Sequence, residues 1–168
     1  MYRERRWRGK ETHRGGVLPP LRQNPSVPKK PVGHRRVGDV VVIIKSADCP
    51  HCVNLSKNID EIKSKLYGVA PDIRIVVVDL ASRRDPIDDR VYPACLSKYK
   101  VWVPMILYVP GKSWDDCLSG HAHTFEGEHV MNGKMVDGNI VPRQSYDIRQ
   151  PGVFSEWLEE VLAARPTF

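Results

Sequence analysis

Val40-Val41-Val42-Ile43-Ile44 is an unbroken β-branched run. It lacks the alternation of a half-exposed strand and predicts a strand covered on both faces. Ser46-Ala47-Asp48 leads out of it to Cys49-Pro50-His51-Cys52. From there to about Leu66, the residues Val53, Leu55, Ile59, Ile62 and Leu66 recur at roughly helical spacing. The spacing predicts an amphipathic helix with Asp48 or Cys49 near its N-cap. Pro50 suits the first turn, where its missing N–H would have no partner in any case. Ile73-Arg74-Ile75-Val76-Val77-Val78 predicts a second buried strand. The unit is strand-helix-strand, for which a right-handed crossover is the default.

Residues 80–92 are charged and predict a loop, and a short helix is expected from about Pro93 to Tyr99. Trp102-Val103-Pro104 then leads into a third strand, Met105-Ile106-Leu107-Tyr108-Val109, and Pro110-Gly111-Lys112 predicts a turn. Residues 113–128 show little pattern. Val130 to Val136 reads as a small hairpin on an Asn132-Gly133 turn, and residues 137–151 read as loop. Val153 to Ala164 predicts a final helix with Val153, Trp157, Leu158, Val161 and Leu162 on one face. Trp102 and Trp157 lie in apolar patterns and are read as core, whereas no pattern places Trp114. The expected domain spans 39–168. It is α/β, a mixed sheet flanked by helices, with a loop/hairpin insertion at about 113–151.

The segment 1–38 has a different character. Pro19, Pro20, Pro25, Pro28 and Pro31 forbid a long helix. Little apolar surface is available to offset the entropy of ordering, so the segment is expected to be disordered unless bound. Trp7, Val17, Leu18 and Val27 are candidate anchors on a partner. Charge separates the two parts. Met1 to Gly38 holds eleven Arg/Lys and two Glu, a formal +9, while the other 130 residues hold fifteen Arg/Lys and eighteen Asp/Glu, a formal −3. The split predicts a basic arm for an anionic partner, attached to a mildly acidic domain with another task. An acidic protein surface or assembly partner is favoured, because repeated prolines suit an extended arm. Arg5-Arg6-Trp7-Arg8 gives a weaker indication of nucleic acid.

No apolar run approaches the ~18–20 residues that span a bilayer. The basic start is followed by no apolar stretch of a secretory signal, and Glu4 and Glu11 spoil an amphipathic targeting helix. An intracellular, cytoplasmic location is therefore expected.

Four cysteines in such a chain do not suggest a disulfide framework, because the default compartment is reducing. A close pair there points to catalysis or metal. A thiol at a helix N-terminus faces unpaired N–H groups and the positive end of the dipole, which favour its thiolate. Cys49 would hold that position. Cys52, three residues on, lies on the same side of the first turn. Cys49 would attack a substrate disulfide and Cys52 would resolve the mixed disulfide. His51 would add a donor or a cation. A zinc site would need further ligands from Cys95, Cys117, His121, His123 and His129. The proline inside the pair and the strand-helix context favour redox chemistry, so neither metal nor cofactor is expected. Cys95 and Cys117 are read as two free thiols, with a second disulfide or extra redox relays left open.

A buried strand, Cys-x-x-Cys opening a helix, a second strand and a Pro-initiated strand together resemble the thioredoxin superfamily. The approach Val40 to Cys49 is similar to that of glutaredoxins. The core Cys49-Pro50-His51-Cys52 is similar to DsbA-type oxidoreductases, and Val103-Pro104 matches the family's cis-proline. The resemblance covers roughly residues 38–110 and, more loosely, the final helix. It implies that Pro104 abuts the disulfide, that the backbone of Val103 pairs with an extended substrate, and that the couple is oxidising. The DsbA couple lies at about −120 mV, against about −270 mV for thioredoxin. The chain departs from the family at three positions. Ile43 stands where a buried acid serves as proton acceptor. Asp48, beside Cys49, would oppose thiolate formation. Lys45 is four residues before the cysteine, where glutaredoxins have a basic residue three before.

The expected activity is thiol-disulfide exchange with protein disulfides or dithiols. The alternative is a structural or assembly protein on the same scaffold, anchored by its arm. That alternative resembles the thioredoxin-like virion proteins of large DNA viruses.

Overall fold

The computed structural model describes residues 38–121 and 126–165. The predicted basic arm and its anchors Trp7, Val17, Leu18 and Val27 therefore lie outside the described residues, apart from Gly38.

The predicted first strand, β1 (Val40–Ser46), is the axis of the fold. It pairs in parallel with β2 (Arg74–Leu80), from Val40 opposite Arg74 to Ser46 opposite Leu80. On its other edge it runs antiparallel to β3 (Met105–Val109), from Val40 opposite Val109 to Ile44 opposite Met105. A two-residue strand, β4 (His129–Val130), adds beyond β3, so the mixed sheet has the order β2-β1-β3-β4.

Alternation along β1 sends its side chains into two cores. Val40, Val42 and Ile44 pack with Leu96, Tyr99, Leu107 and Trp114. Val41 and Ile43 pack with Leu55, Ile62, Leu66, Phe154, Trp157 and Leu158. The five residues from Val40 to Ile44 are completely buried. The second core is roofed by α1 (Pro50–Lys57), α2 (Ile59–Val69) and the final helix α4 (Gly152–Ala163). The first is covered by a 3₁₀ turn, Ala94–Lys98, and by α3 (Gly111–Leu118). The architecture is thus α/β, a four-stranded mixed sheet with helices on both faces. Among the described residues, no helix is long and apolar enough to cross a membrane.

The predicted single helix after the cysteines is two helices. Asn58 has φ −107° and ψ 10°, and its N–H turns back to Leu55 O at 3.2 Å, closing α1. Asn58 O then accepts from Ile62 N at 2.9 Å and opens α2. The apolar stripe continues across the break, which is why periodicity reads one helix.

Two corrections fall just before and within the insertion. The expected turn at Pro110-Gly111-Lys112 is the start of α3, opened by Trp114 N donating to Pro110 O at 2.9 Å. Trp114, Cys117 and Leu118 fall at helical spacing, but eight residues opened by Pro110-Gly111 are too few to tell a short helix from a turn in the sequence. The expected hairpin on Asn132-Gly133 does not form. The hairpin is β5 (Gly133–Val136) with β6 (Asn139–Pro142), turned by Asp137 (φ 47°) and Gly138 (φ 76°). Positive φ at both central residues is the type I′ arrangement. Both Asx-Gly pairs suit such a turn, and local sequence does not choose between them. Asn132 is engaged elsewhere: its Oδ1 accepts from Ser145 N (3.0 Å) and Tyr146 N (2.8 Å), and its Nδ2 donates to Tyr146 O (2.9 Å). It pins residues 143–146, which otherwise lack a ladder.

Cys95 and Cys117, favoured as free thiols, are joined in a disulfide with Cα atoms 5.6 Å apart. The bond ties the 3₁₀ turn to α3 over the first core, bringing together residues 22 apart in the chain. At the far pole of the sheet, Arg165 chelates Asp39 with bonds of 2.6 and 3.0 Å, and Gly111 N donates to Asp39 at 2.9 Å. The Arg165 guanidinium also lies 5.0 Å over the Tyr108 ring. One carboxylate thereby joins the entry of β1, the start of α3 and the residues just after α4.

Replacing Cys95 and Cys117 together by serine removes the closure of this loop in the unfolded chain. The expected loss is about 3 kcal/mol, read as a lower urea midpoint against the oxidised wild type.

Candidate active site

The site lies where β1 ends. Ser46 leaves the sheet, and Ala47 N donates to Leu80 O at 2.9 Å, holding the exit of β1 on β2. Cys49 then adopts extended geometry (φ −103°, ψ 117°) and is the N-cap of α1. Its carbonyl accepts the first helical bond, from Val53 N at 3.1 Å. Its sulfur does what a capping oxygen usually does, accepting the N–H of Cys52 at 3.3 Å. Pro50 takes the first helical position and is exposed, as is His51. Cys49 and Cys52 are both free thiols and both buried, at 5% and 0% exposure.

Val103–Pro104 reaches the same place from the other side of the sheet. The peptide bond is cis, and Pro104 is buried at the head of β3. The Cys49 thiol donates to Val103 O at 3.7 Å. The structure therefore brings together five of the six residues singled out from sequence around one sulfur: Cys49, Pro50, Cys52, Val103 and Pro104. The sixth, His51, looks into an adjoining cavity of about 630 Å³. Pro104, Trp102, Ile106, Met131, Tyr146 and Ile148 also line it. Its outer wall comes from residues 142–149, which the sequence marks only as loop.

The three departures noted in the sequence now have surroundings. Ile43 is fully buried in the apolar core beneath α1. Lys45 is ion-paired with Asp79, its neighbour across the parallel ladder, and so does not serve the thiols. Asp48 turns toward the loop after β2, accepting from Arg83 N at 2.7 Å and Ser82 Oγ at 2.9 Å, with the Arg83 guanidinium 3.8 Å away. The Ser46 hydroxyl and the Arg83 N–H hold its carboxyl below the usual value, so Asp48 stays ionised. Its charge is spent largely on that turn.

Cys52 is pushed up to about 11, first by burial and then by its neighbour Cys49, while Ser46 pulls in the opposite direction. Ser46 is the polar neighbour that sequence reasoning missed. A serine at a strand end carries no motif, and only the fold shows what it faces.

Among the described residues, no group of three or more His, Cys, Asp or Glu is placed to hold a metal. Of the zinc candidates, Cys95 and Cys117 are spent on each other, and His123 lies outside the described residues. No family model, curated protein or solved structure matches the chain.

A thiol raised from 9.0 to about 11 binds its proton more tightly folded than unfolded. The unfolded thiol loses its proton first, so stability falls as pH climbs from about 9 to about 11. In the reduced protein, iodoacetamide at pH 8 should leave Cys52 unmodified, and its labelling should rise steeply toward the alkaline limb. Fragment mass spectra of the peptide carrying both cysteines distinguish the two sites.

Proposed function

We propose that the protein is a thiol-disulfide oxidoreductase on a thioredoxin-type scaffold, exchanging disulfides with protein substrates. The observation that carries the reading is the seat of the Cys49 sulfur. It caps a helix, meets the Cys52 N–H on one side and faces the carbonyl that precedes a cis-proline on the other. The β1-helix-β2 order and the mixed sheet with helices on both faces agree with the layout from which the resemblance was drawn.

In the reducing direction, the Cys49 thiolate attacks one sulfur of a substrate disulfide. A Cys49–substrate bond forms, and the other substrate sulfur leaves as a thiolate that takes a proton from water. Before the attack, the charge of the Cys49 thiolate meets the Cys52 N–H and the open end of α1. Cys52 then loses its proton to solvent and attacks Cys49 Sγ. The Cys49–Cys52 disulfide forms, and the second substrate sulfur leaves and is protonated. The substrate gains two electrons and the pair loses two; in the oxidising direction every step reverses.

Substrate backbone would lie along Val103–Pro104, and the side chain beside the reacting cysteine would enter the cavity of Trp102, Ile106, Met131, Tyr146 and Ile148. Exchange at this site calls for neither metal nor cofactor.

The formal +9 of residues 1–38 favours a second reading, in which the scaffold serves assembly through its basic arm. The two are separable. In the full chain, Cys49→Ser should reduce exchange with a protein disulfide to the rate of the reductant alone. Cys52→Ser should accumulate the mixed disulfide at Cys49, visible as an adduct by intact mass. A wild-type Cys49 no faster than a free peptide thiol would sink the catalytic reading and leave assembly.

A further inference from the structure

Ser46 closes β1 with its side chain turned inward, at 4% exposure. Its Oγ is fully buried yet completes no hydrogen bond of normal geometry. A buried hydroxyl in that condition costs stability unless a partner is supplied. Two groups lie close enough to feel it. One is the carboxylate of Asp48, two residues on, and the other is the thiol of Cys52 in the first turn of α1. Cys52 is also approached by the Ser46 backbone. The groups acting on Cys52 are Cys49, from the cap of its own helix, and Ser46, from β1. Ile43 offers nothing polar from below.

We propose that Ser46 is a positioning residue for the resolving cysteine, its hydroxyl swinging between the Asp48 carboxylate and the Cys52 sulfur. While Cys52 is a thiol, the Ser46 O–H points to the ionised Asp48. When Cys52 gives its proton to water, the O–H turns to donate to the new thiolate, which then attacks Cys49 Sγ and expels the substrate sulfur. In the reverse direction, the same donor stabilises Cys52 as the leaving thiolate. A hydroxyl thus replaces a buried acid without adding a second negative charge beneath the dithiol. Asp48 competes for the donor, and its pairing with Ser82 and Arg83 moderates that competition.

The inference rests on the exchange reading, and one experiment tests the two separately. One equivalent of Ellman's reagent is mixed with the reduced full chain in stopped flow. The first release of thionitrobenzoate reports attack by Cys49, and the second reports Cys52 displacing the reagent from Cys49. Ser46→Ala should leave the first phase unchanged and slow the second about tenfold, the loss expected for one hydrogen bond to a charged atom. The pH profile of the second phase should move to higher pH, and Ser46→Thr, which keeps the hydroxyl, should restore both.

Asp48→Asn should speed the second phase when Ser46 is present and not in Ser46→Ala. This coupling is one that a merely structural serine would not show. Should Ser46→Ala fold poorly, Ser46→Thr and Asp48→Asn still read the donor. An unchanged second phase in Ser46→Ala, or an Asp48→Asn effect independent of Ser46, would overturn the proposal. A first phase no faster than a peptide thiol would instead remove the exchange reading. The thiolate absorbance of Cys52 at alkaline pH, compared between wild type and Ser46→Ala, would then decide Ser46 by itself.

Discussion

Everything in this fold is referred to a strand with no exposed side. Val40 to Ile44 are sealed from water on both faces, so β1 must carry a hydrophobic layer above and below and a hydrogen-bonded partner on each edge. Five buried β-branched side chains stabilise the fold by roughly 1.5–3 kcal/mol each, enough to fix β1 as the centre of the sheet. An unpaired backbone there would be costly, so β2 and β3 are held in register to within a residue. The consequence for chemistry is geometric. Both the chain leaving β1 and the chain entering β3 are delivered to the same end of the sheet, and they bring Cys49 and Val103–Pro104 together.

The two poles of the sheet are organised differently. At the entry pole, Asp39, Arg165, Gly111 and Tyr108 form a charge-assisted knot. Burial alone would raise the Asp39 carboxyl, but Arg165 and the Gly111 N–H more than offset it and hold it low. Such a carboxylate contributes stability above its unfolded value and loses it as pH falls. At the exit pole, Asp48 is tied to Ser82 and Arg83 after β2, and sulfur takes over a capping role at α1. The ion-paired knot and the cysteine pair therefore stand at opposite ends of the sheet.

The insertion has a double role. Its disulfide and α3 close the first core, while Asn132 holds residues 145–146 and the segment from Pro142 to Arg149 lines a cavity with His51 and Pro104. A segment without periodicity thereby becomes one wall of the cavity beside His51 and Pro104. The mildly acidic domain and the strongly basic first 38 residues remain two chemical parts of one chain.

Sequence alone determined the elements whose signal is local. The β-branched runs of β1 and β2, the Pro-led β3 and the apolar stripe of α4 each carry their own pattern. Cys49, Pro50 and Cys52 sit at a spacing that one helical turn brings together. Tertiary structure decided what depends on distant partners. The break at Asn58 hides within a continuous stripe. The choice of Asp137-Gly138 over Asn132-Gly133 depends on the backbone groups that Asn132 meets at Ser145 and Tyr146. The Cys95–Cys117 pairing depends on a helix too short to be told from a turn in the sequence. The setting of Cys52 against Ser46 depends on how α1 lies upon β1. The physical reason is common to all four: backbone preference and periodicity are properties of neighbours in sequence, whereas burial and hydrogen-bond completion are properties of neighbours in space.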